Sequence, residues 1–139
     1  MSGFRVGRRA RPGPIAIDGW TVEGSHDGYT HLPGAPRHHR RWAFEADGLE
    51  VHDRLDPAAA EAAVARYHLA PGLELVAEGD NRWQVREGRR TLAQVQVAQG
   101  RGEAGTTQHA HRFGVLVPAA TLAVHLQDRQ ARVHWRWNP

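Results

Sequence analysis

"HRRWAFEADGLEVHDRLDP", residues 39–57, reads as two strands joined by a turn. Trp42 and Phe44 alternate with Arg41 and Ala43 on the way into Asp47-Gly48, and Leu49 and Val51 alternate with Glu50 and His52 on the way out. Apolar residues at every second position mark a strand with one face on a core, and Asp-Gly between two such runs is a strong hairpin signal. The stretch is therefore antiparallel β.

The same rhythm extends in both directions. Upstream, "GWTVEGSH" (19–26) places Trp20 and Val22 on one face and Thr21 and Glu23 on the other. Downstream, "LELVAEGDNRWQVREGRRTLAQVQVAQG" (73–100) repeats the hairpin form, with turns at Gly79-Asp80-Asn81 and Glu87-Gly88. The end, "HRFGVLVPAATLAVHLQDRQARVHWRW" (111–137), offers three more short strands, with Val133, Trp135 and Trp137 on one face. About ten strands with turns at short intervals predict an all-β fold, an antiparallel β-sandwich or the C-terminal part of one.

Two segments break the rhythm. In "DPAAAEAAVARYHLAP" (56–71), Asp56 as N-cap, Pro57 and the alanines favour a helix, whereas Val64, Tyr67 and Leu69 lead into the next strand. The reading adopted is a loop through the alanines and a strand from about Ala63 to Leu69. The first dozen residues and "QGRGEAGTTQ" (99–108) are expected to be loose, because glycine and small polar residues interrupt the alternation.

Composition limits the function classes. A chain of 139 residues with 40% hydrophobic and 24% charged residues suits a single globular domain, 1–139. All 18 basic residues are arginines, which suits bidentate contacts to carboxylate, sulfate or phosphate and equally reflects codon bias. The formal charge of +3 is small for a dedicated nucleic-acid protein, so no nucleic-acid partner is expected. Without cysteine there is no disulfide framework and no thiolate chemistry. No apolar run is long enough for a membrane span, and the N-terminal arginines lack the apolar stretch of a signal peptide.

Candidate chemistry concentrates in "SHDGYTHLPGAPRHHRRW" (25–42). His26 and Tyr29 flank Asp27-Gly28, and a sharp turn there would bring imidazole and phenol together, a pair able to share acid and base duties. The plain alternative is a strand end followed by a loop. In "PRHHRRW" (36–42), His39 and Arg41 share one strand face and Arg40, Trp42 and Phe44 the other. Such a face can lie along an anionic polymer or be simply solvated. Trp20, Trp83, Trp135 and Trp137 could stack on sugar rings but first of all fill a core. His109 and His111 point to one side of a strand, yet no motif supplies the third ligand that zinc needs. Asp53 and Asp56 fall near turns, where capping accounts for them. No nucleophile elbow, phosphate loop or His-Glu-x-x-His helix occurs.

Several pieces in order, "FRVGRRARP" (4–12), "SHDGYTHLPG" (25–34), "HHRRWAFEADGLEVHDRLD" (38–56) and "ARYHLAPGLEL" (65–75), resemble the C-terminal β-sandwich of the heparinase II/III-like polysaccharide lyases. The resemblance spans nearly the whole chain. It implies an enzyme that joins a helical toroid to the sandwich and cleaves acidic polysaccharides by β-elimination in the bacterial periplasm or cell envelope. It also implies that the catalytic residues and a divalent metal site of a full-length relative lie in the toroid and in earlier strands. Those segments have no counterpart here, so the resemblance assigns no catalytic residue, no metal ligand and no cofactor to this chain. The expectation is a domain lacking the first strands of the sandwich, partnered by the lyase region or by a second copy of itself. His26, Tyr29, Arg40 and Arg41 are the expected contacts to an acidic polysaccharide. The alternative is a non-catalytic carbohydrate- or polyanion-binding β-module.

Overall fold

A computed structural model describes residues 9–57 and 63–137, and in these the chain is an antiparallel β-sandwich. The strands in chain order are β1 (Ala16–Asp18), β2 (Thr21–His26), β3 (Arg37–Glu45), β4 (Gly48–Asp56), β5 (Val64–His68) and β6 (Leu73–Gly79). They continue as β7 (Arg82–Glu87), β8 (Arg90–Gln99), β9 (Arg101–Arg112), β10 (Val115–His125) and β11 (Gln130–Trp137). One sheet has eight strands in the order β1-β2-β3-β4-β11-β8-β7-β6, and the other has three in the order β5-β10-β9.

The β3–β4 hairpin forms with Arg40 opposite Asp53 and Trp42 opposite Val51. Its two-residue loop is Ala46-Asp47, one position earlier than Asp47-Gly48, because Gly48 already pairs with Glu45 in the ladder. Gly48 serves close packing instead, since a Cβ there would run into the Trp135 carbonyl of the neighbouring β11. The expected turns after β6 and β7 are present, with Asn81 at φ 58° and Gly88 at φ 56° supplying the left-handed residue that tight hairpin turns require.

Alternation sorts each strand of the large sheet into two faces. The inner face carries Val51, Trp83, Val85, Val95, Val97, Val133 and Trp135, and the three-stranded sheet covers it with Ala65, Leu122 and Val124. Leu122, Val124 and Val133 are fully buried, so the centre of the core lies between β10 and β11. Three strands do not cover eight. On the β1–β3 side Ile17, Trp20 and Phe44 stay exposed.

The expected strand after the alanines is β5, while residues 58–62 lie outside the described residues. The segment 99–108, expected to be loose, is instead largely β9, paired along its length with β10. Its glycines serve close approach: Gly100 turns the chain at φ 105°, and Gly102 lies under the Trp83 indole, where a side chain would collide. Asn81 fastens the turn, accepting from the Gly102 amide and donating to the Gly100 carbonyl. At the other end, Arg11 and Gly13 are tied to the β2 end through Asp27 and Ser25. The proline-containing segment 11–14 thus runs beside the β2 edge, a common way to blunt a sheet edge.

Candidate functional site

Where the three-stranded sheet stops short, a cavity of about 520 Å³ opens between β5 and the loop that follows β2. Its floor is Asp53, Arg40 and Leu55, one wall is His26, His38 and Tyr29, and the opposite wall is the β5 edge at Ala63–Arg66.

Asp53 is the centre of the site, with 1% of its surface exposed. His38 Nε2 donates to its Oδ1 at 2.6 Å, and Arg40 Nε donates to the same oxygen at 2.7 Å. Arg40 Nη2 donates to Oδ2 at 3.0 Å, and the Tyr67 hydroxyl donates to Oδ2 from the other sheet at 3.1 Å. Four donors fill both oxygens. Burial alone would raise the Asp53 pKa, but the His38 and Arg40 hydrogen bonds and the Arg40 charge outweigh it and hold the carboxyl below the usual range. Burial likewise works against the Arg40 charge, and the bond to Asp53 overcomes it. Tyr67 responds in the other sense: burial first, then the Asp53 charge, raises its pKa and keeps the phenol protonated. Arg40 also lies over the Tyr67 ring, 5.5 Å from the centroid, so the guanidinium is bracketed by a carboxylate and an aromatic face.

The chain of bonds continues outward. His38 Nδ1 lies 3.0 Å from His26 Nε2, and the Gly28 amide donates to His26 Nδ1 at 3.1 Å. These contacts fix the tautomers. Because His26 Nδ1 accepts from Gly28, the His26 proton sits on Nε2 and is donated to His38 Nδ1; the His38 proton then sits on Nε2 and faces Asp53. Burial, with His38 second, lowers the His26 pKa from 6.5.

Local sequence explains the geometry. Antiparallel pairing sets His26 opposite His38, and His38, Arg40 and Asp53 alternate onto one face. Asp27-Gly28-Tyr29-Thr30 forms a turn closed by the Thr30 amide and hydroxyl on the Asp27 carbonyl. That turn returns the Gly28 amide to His26 and leaves the Tyr29 ring 5.2 Å from the His26 ring.

Of the residues expected to contact substrate, His26, Tyr29 and Arg40 meet in this cleft. Arg41 does not. Being next to Arg40, it points to the outer face of the large sheet, 3.4 Å from Glu50, which also approaches His134 and Arg132. Asp53 is the buried acceptor of the site, which corrects its reading as a turn cap. His38 and Tyr67 are site residues that the sequence reading does not single out. Counting outward from the Asp47-Gly48 turn read in the sequence would pair Arg40 with Leu55, and only the observed loop at Ala46-Asp47 sets Arg40 opposite Asp53; His38 shares the Arg40 face, and Tyr67 joins from another sheet.

Elsewhere, His109 and His111 stack parallel with centroids 6.5 Å apart. Among the described residues, no three His, Asp or Glu side chains converge as a metal site, and no helix is long and apolar enough to cross a membrane. Trp83 and Trp135 are core residues, whereas Trp20 is exposed.

A family model described as heparinase II/III-like, C-terminal, matches residues 1–137. The chain belongs to that family. Among solved structures, this heparinase II/III-like C-terminal domain is similar to a heparinase III gene product, with a TM-score of 0.66 at 9% identity over 92% of this chain. At that identity the likeness concerns the fold. The domain spans 21% of the length of that structure. No curated protein matches the sequence.

Proposed function

We propose that the chain acts as the C-terminal domain of a heparinase II/III-like polysaccharide lyase and supplies one wall of a cleft that holds an acidic polysaccharide during β-elimination. Its place of action in this reading is the bacterial periplasm or cell envelope, and its partner is the catalytic region of the same enzyme. The observation that carries the reading is the cleft itself: a half-apolar cavity edged by His26 and Tyr29, on the side of the sandwich that the small sheet leaves uncovered. A pocket of this size with a few convergent polar groups suits sugar units. His26 and Tyr29 at its wall are the proposed substrate contacts, Arg40 holds the floor, and Arg41 would act from the other face.

In this reading the domain contributes binding. Proton abstraction needs a base with a free lone pair, and His26 Nδ1 is occupied by the Gly28 amide while Asp53 is saturated. The same observation favours a second reading, a non-catalytic carbohydrate-binding module. Incubation with uronate polymers separates the two. The lyase reading expects unsaturated uronate, read by its ultraviolet absorbance, when the chain is joined to its catalytic region, and a tenfold or greater loss of turnover when that region lacks it. Salt-sensitive retention on immobilised polysaccharide with no product in either form supports the binding module instead.

A further inference from the structure

Past the end of β5 the small sheet narrows to a two-stranded arm. β5 pairs with 121–125 of β10, whereas among the described residues 115–118 has β9 as its only ladder partner. The base of the arm is braced by β6, where Leu73 and Leu75 meet Ala104, Thr106 and Pro118 around a shared cavity with Glu74 at its side. The tip projects beyond it. There the loop Phe113-Gly114 joins the strands, and Gly114 at φ 74° is present to turn the chain, since a Cβ on it would meet nothing within 4 Å. A register shift between Val115 and Val117 adds local twist. Phe113 stands at the apex fully exposed, with Leu116 65% exposed behind it.

The charge around this apex has one sign. From 104 to 127 the sequence holds no Asp or Glu. Arg112 and His111, next to Phe113, are exposed, and His109 stacks on His111. Glu103, the acid that precedes this stretch, lies at the other end of the arm beside Arg101 and His125. The tip is thus an apolar point with a cationic collar. Such a convex shape meets a flat surface directly, whereas a protein partner would need an acidic pocket moulded around it. A bilayer of anionic lipids offers what the tip lacks: aromatic side chains settle at the headgroup boundary, and arginines are drawn to the negative surface. The unpaired backbone groups along the arm cannot enter hydrocarbon, so the depth is limited to that boundary.

We propose that the tip of the β9–β10 arm docks the protein on an anionic lipid bilayer, with Phe113 and Leu116 entering the interface and Arg112 and His111 facing the lipid phosphates. The protein then lies on the membrane and does not span it. The cleft is at the opposite end of β10, where Val64 pairs with His125 and Leu126 joins the lining. Docking by the tip therefore leaves the cleft open to solvent, and this proposal does not rest on the lyase reading.

The test is co-sedimentation of the full chain with vesicles of equimolar phosphatidylglycerol and phosphatidylcholine, against vesicles of phosphatidylcholine alone. The expected result is partition at least tenfold stronger onto the anionic vesicles. Phe113→Ser should lower that partition at least tenfold with an unchanged Tm, because the ring makes no packing contact to lose. Arg112→Gln should weaken it and flatten its salt dependence. Trp20→Ser, which removes another exposed aromatic far from the arm in sequence, should leave it unaltered. Absence of partition onto anionic vesicles overturns the proposal. So does partition that Phe113→Ser leaves unchanged, which would assign adsorption to other arginines, or that Trp20→Ser weakens equally, which would mark it as unspecific. If Phe113→Ser instead weakens association with the catalytic region and vesicles are not bound, the arm is a protein contact and the membrane proposal falls. The vesicles carry no sugar, so none of these outcomes bears on the polysaccharide reading.

Discussion

The Tyr67 hydroxyl of the three-stranded sheet donates to Asp53 Oδ2 of the eight-stranded sheet, 3.1 Å away across the sandwich. This bond is a polar tie between two layers that are otherwise joined mainly by apolar packing, and its acceptor is charged. Hydrogen bonds to charged groups contribute more than neutral ones, so Tyr67→Phe should lower stability by about 1.5–3 kcal/mol. Urea denaturation checks this; an unchanged midpoint would mean that the two sheets do not depend on the bond.

Arg40 and Asp53 should show strong non-additivity. Arg40→Met leaves a buried carboxylate short of its counter-charge and should cost about 3–5 kcal/mol. The double variant Arg40→Met with Asp53→Leu should recover part of that loss, because no uncompensated charge remains. A double-mutant cycle by denaturant unfolding tests the pair, and simple additivity would count against it.

Stability should fall with acidification in two stages. Burial and His38 lower the His26 pKa below 6.5, so as pH falls the unfolded chain takes up that proton before the folded one does. Stability is then full above the unfolded value and declines as pH drops through 6.5 towards the folded value. His39, whose pKa is lowered by burial and then by Arg54, adds to the same stage. Asp53 supplies the second stage: its contribution is present above 3.8 and lost as pH falls through its lower folded value. Calorimetric Tm as a function of pH should show both, with the first stage reduced in His26→Gln. A Tm that does not change between neutral pH and about pH 5 would contradict the first stage.

Gly28 should behave unlike Gly24. A Cβ on Gly28 would stand 3.0 Å from His26 Nδ1 and from the Ala10 Cβ, whereas one on Gly24 meets nothing within 4 Å. Gly28→Ala should therefore displace the His26 ring, mix its tautomers and destabilise by about 1 kcal/mol. Gly24→Ala should be neutral or stabilise by about 0.4–1 kcal/mol through the unfolded chain. Imidazole nitrogen shifts report the tautomers directly, and a single Nε2-protonated His26 in Gly28→Ala would refute the lock.

Gly102→Ala should destabilise by about 1–3 kcal/mol, because the new methyl competes with the Trp83 indole for the same space. Near-ultraviolet circular dichroism follows the indole, and a spectrum and Tm like the parent's would show that the ring can yield.

The sequence was most legible where local chemistry and global packing agree. The alternation around Trp42, Phe44, Leu49 and Val51 announced the β3–β4 hairpin, and the family pieces lay in the expected order. It misled at glycines. Gly48 signalled a turn residue but serves a close approach to Trp135, and the glycines of 99–108 signalled a loop but let β9 pass under Trp83. Both errors have one cause: a glycine that frees the backbone and a glycine that makes room look identical until the neighbouring strand is known. The site was half legible. His26, Tyr29 and Arg40 stand out within one short stretch, while Tyr67 acts through a contact between sheets that no local pattern encodes.

The adjacent arginines of β3 have opposite fates, Arg40 bound to Asp53 inside and Arg41 beside Glu50 outside. Sliding β3 by one residue against β4 would exchange them, and would also turn Trp42 away from the core it packs against. Hydrophobic burial alone opposes that slip, but Asp53 adds a second veto, since only the native alignment gives the buried carboxylate its guanidinium. The ion pair thus acts as an alignment key for strand pairing, whatever it adds to net stability.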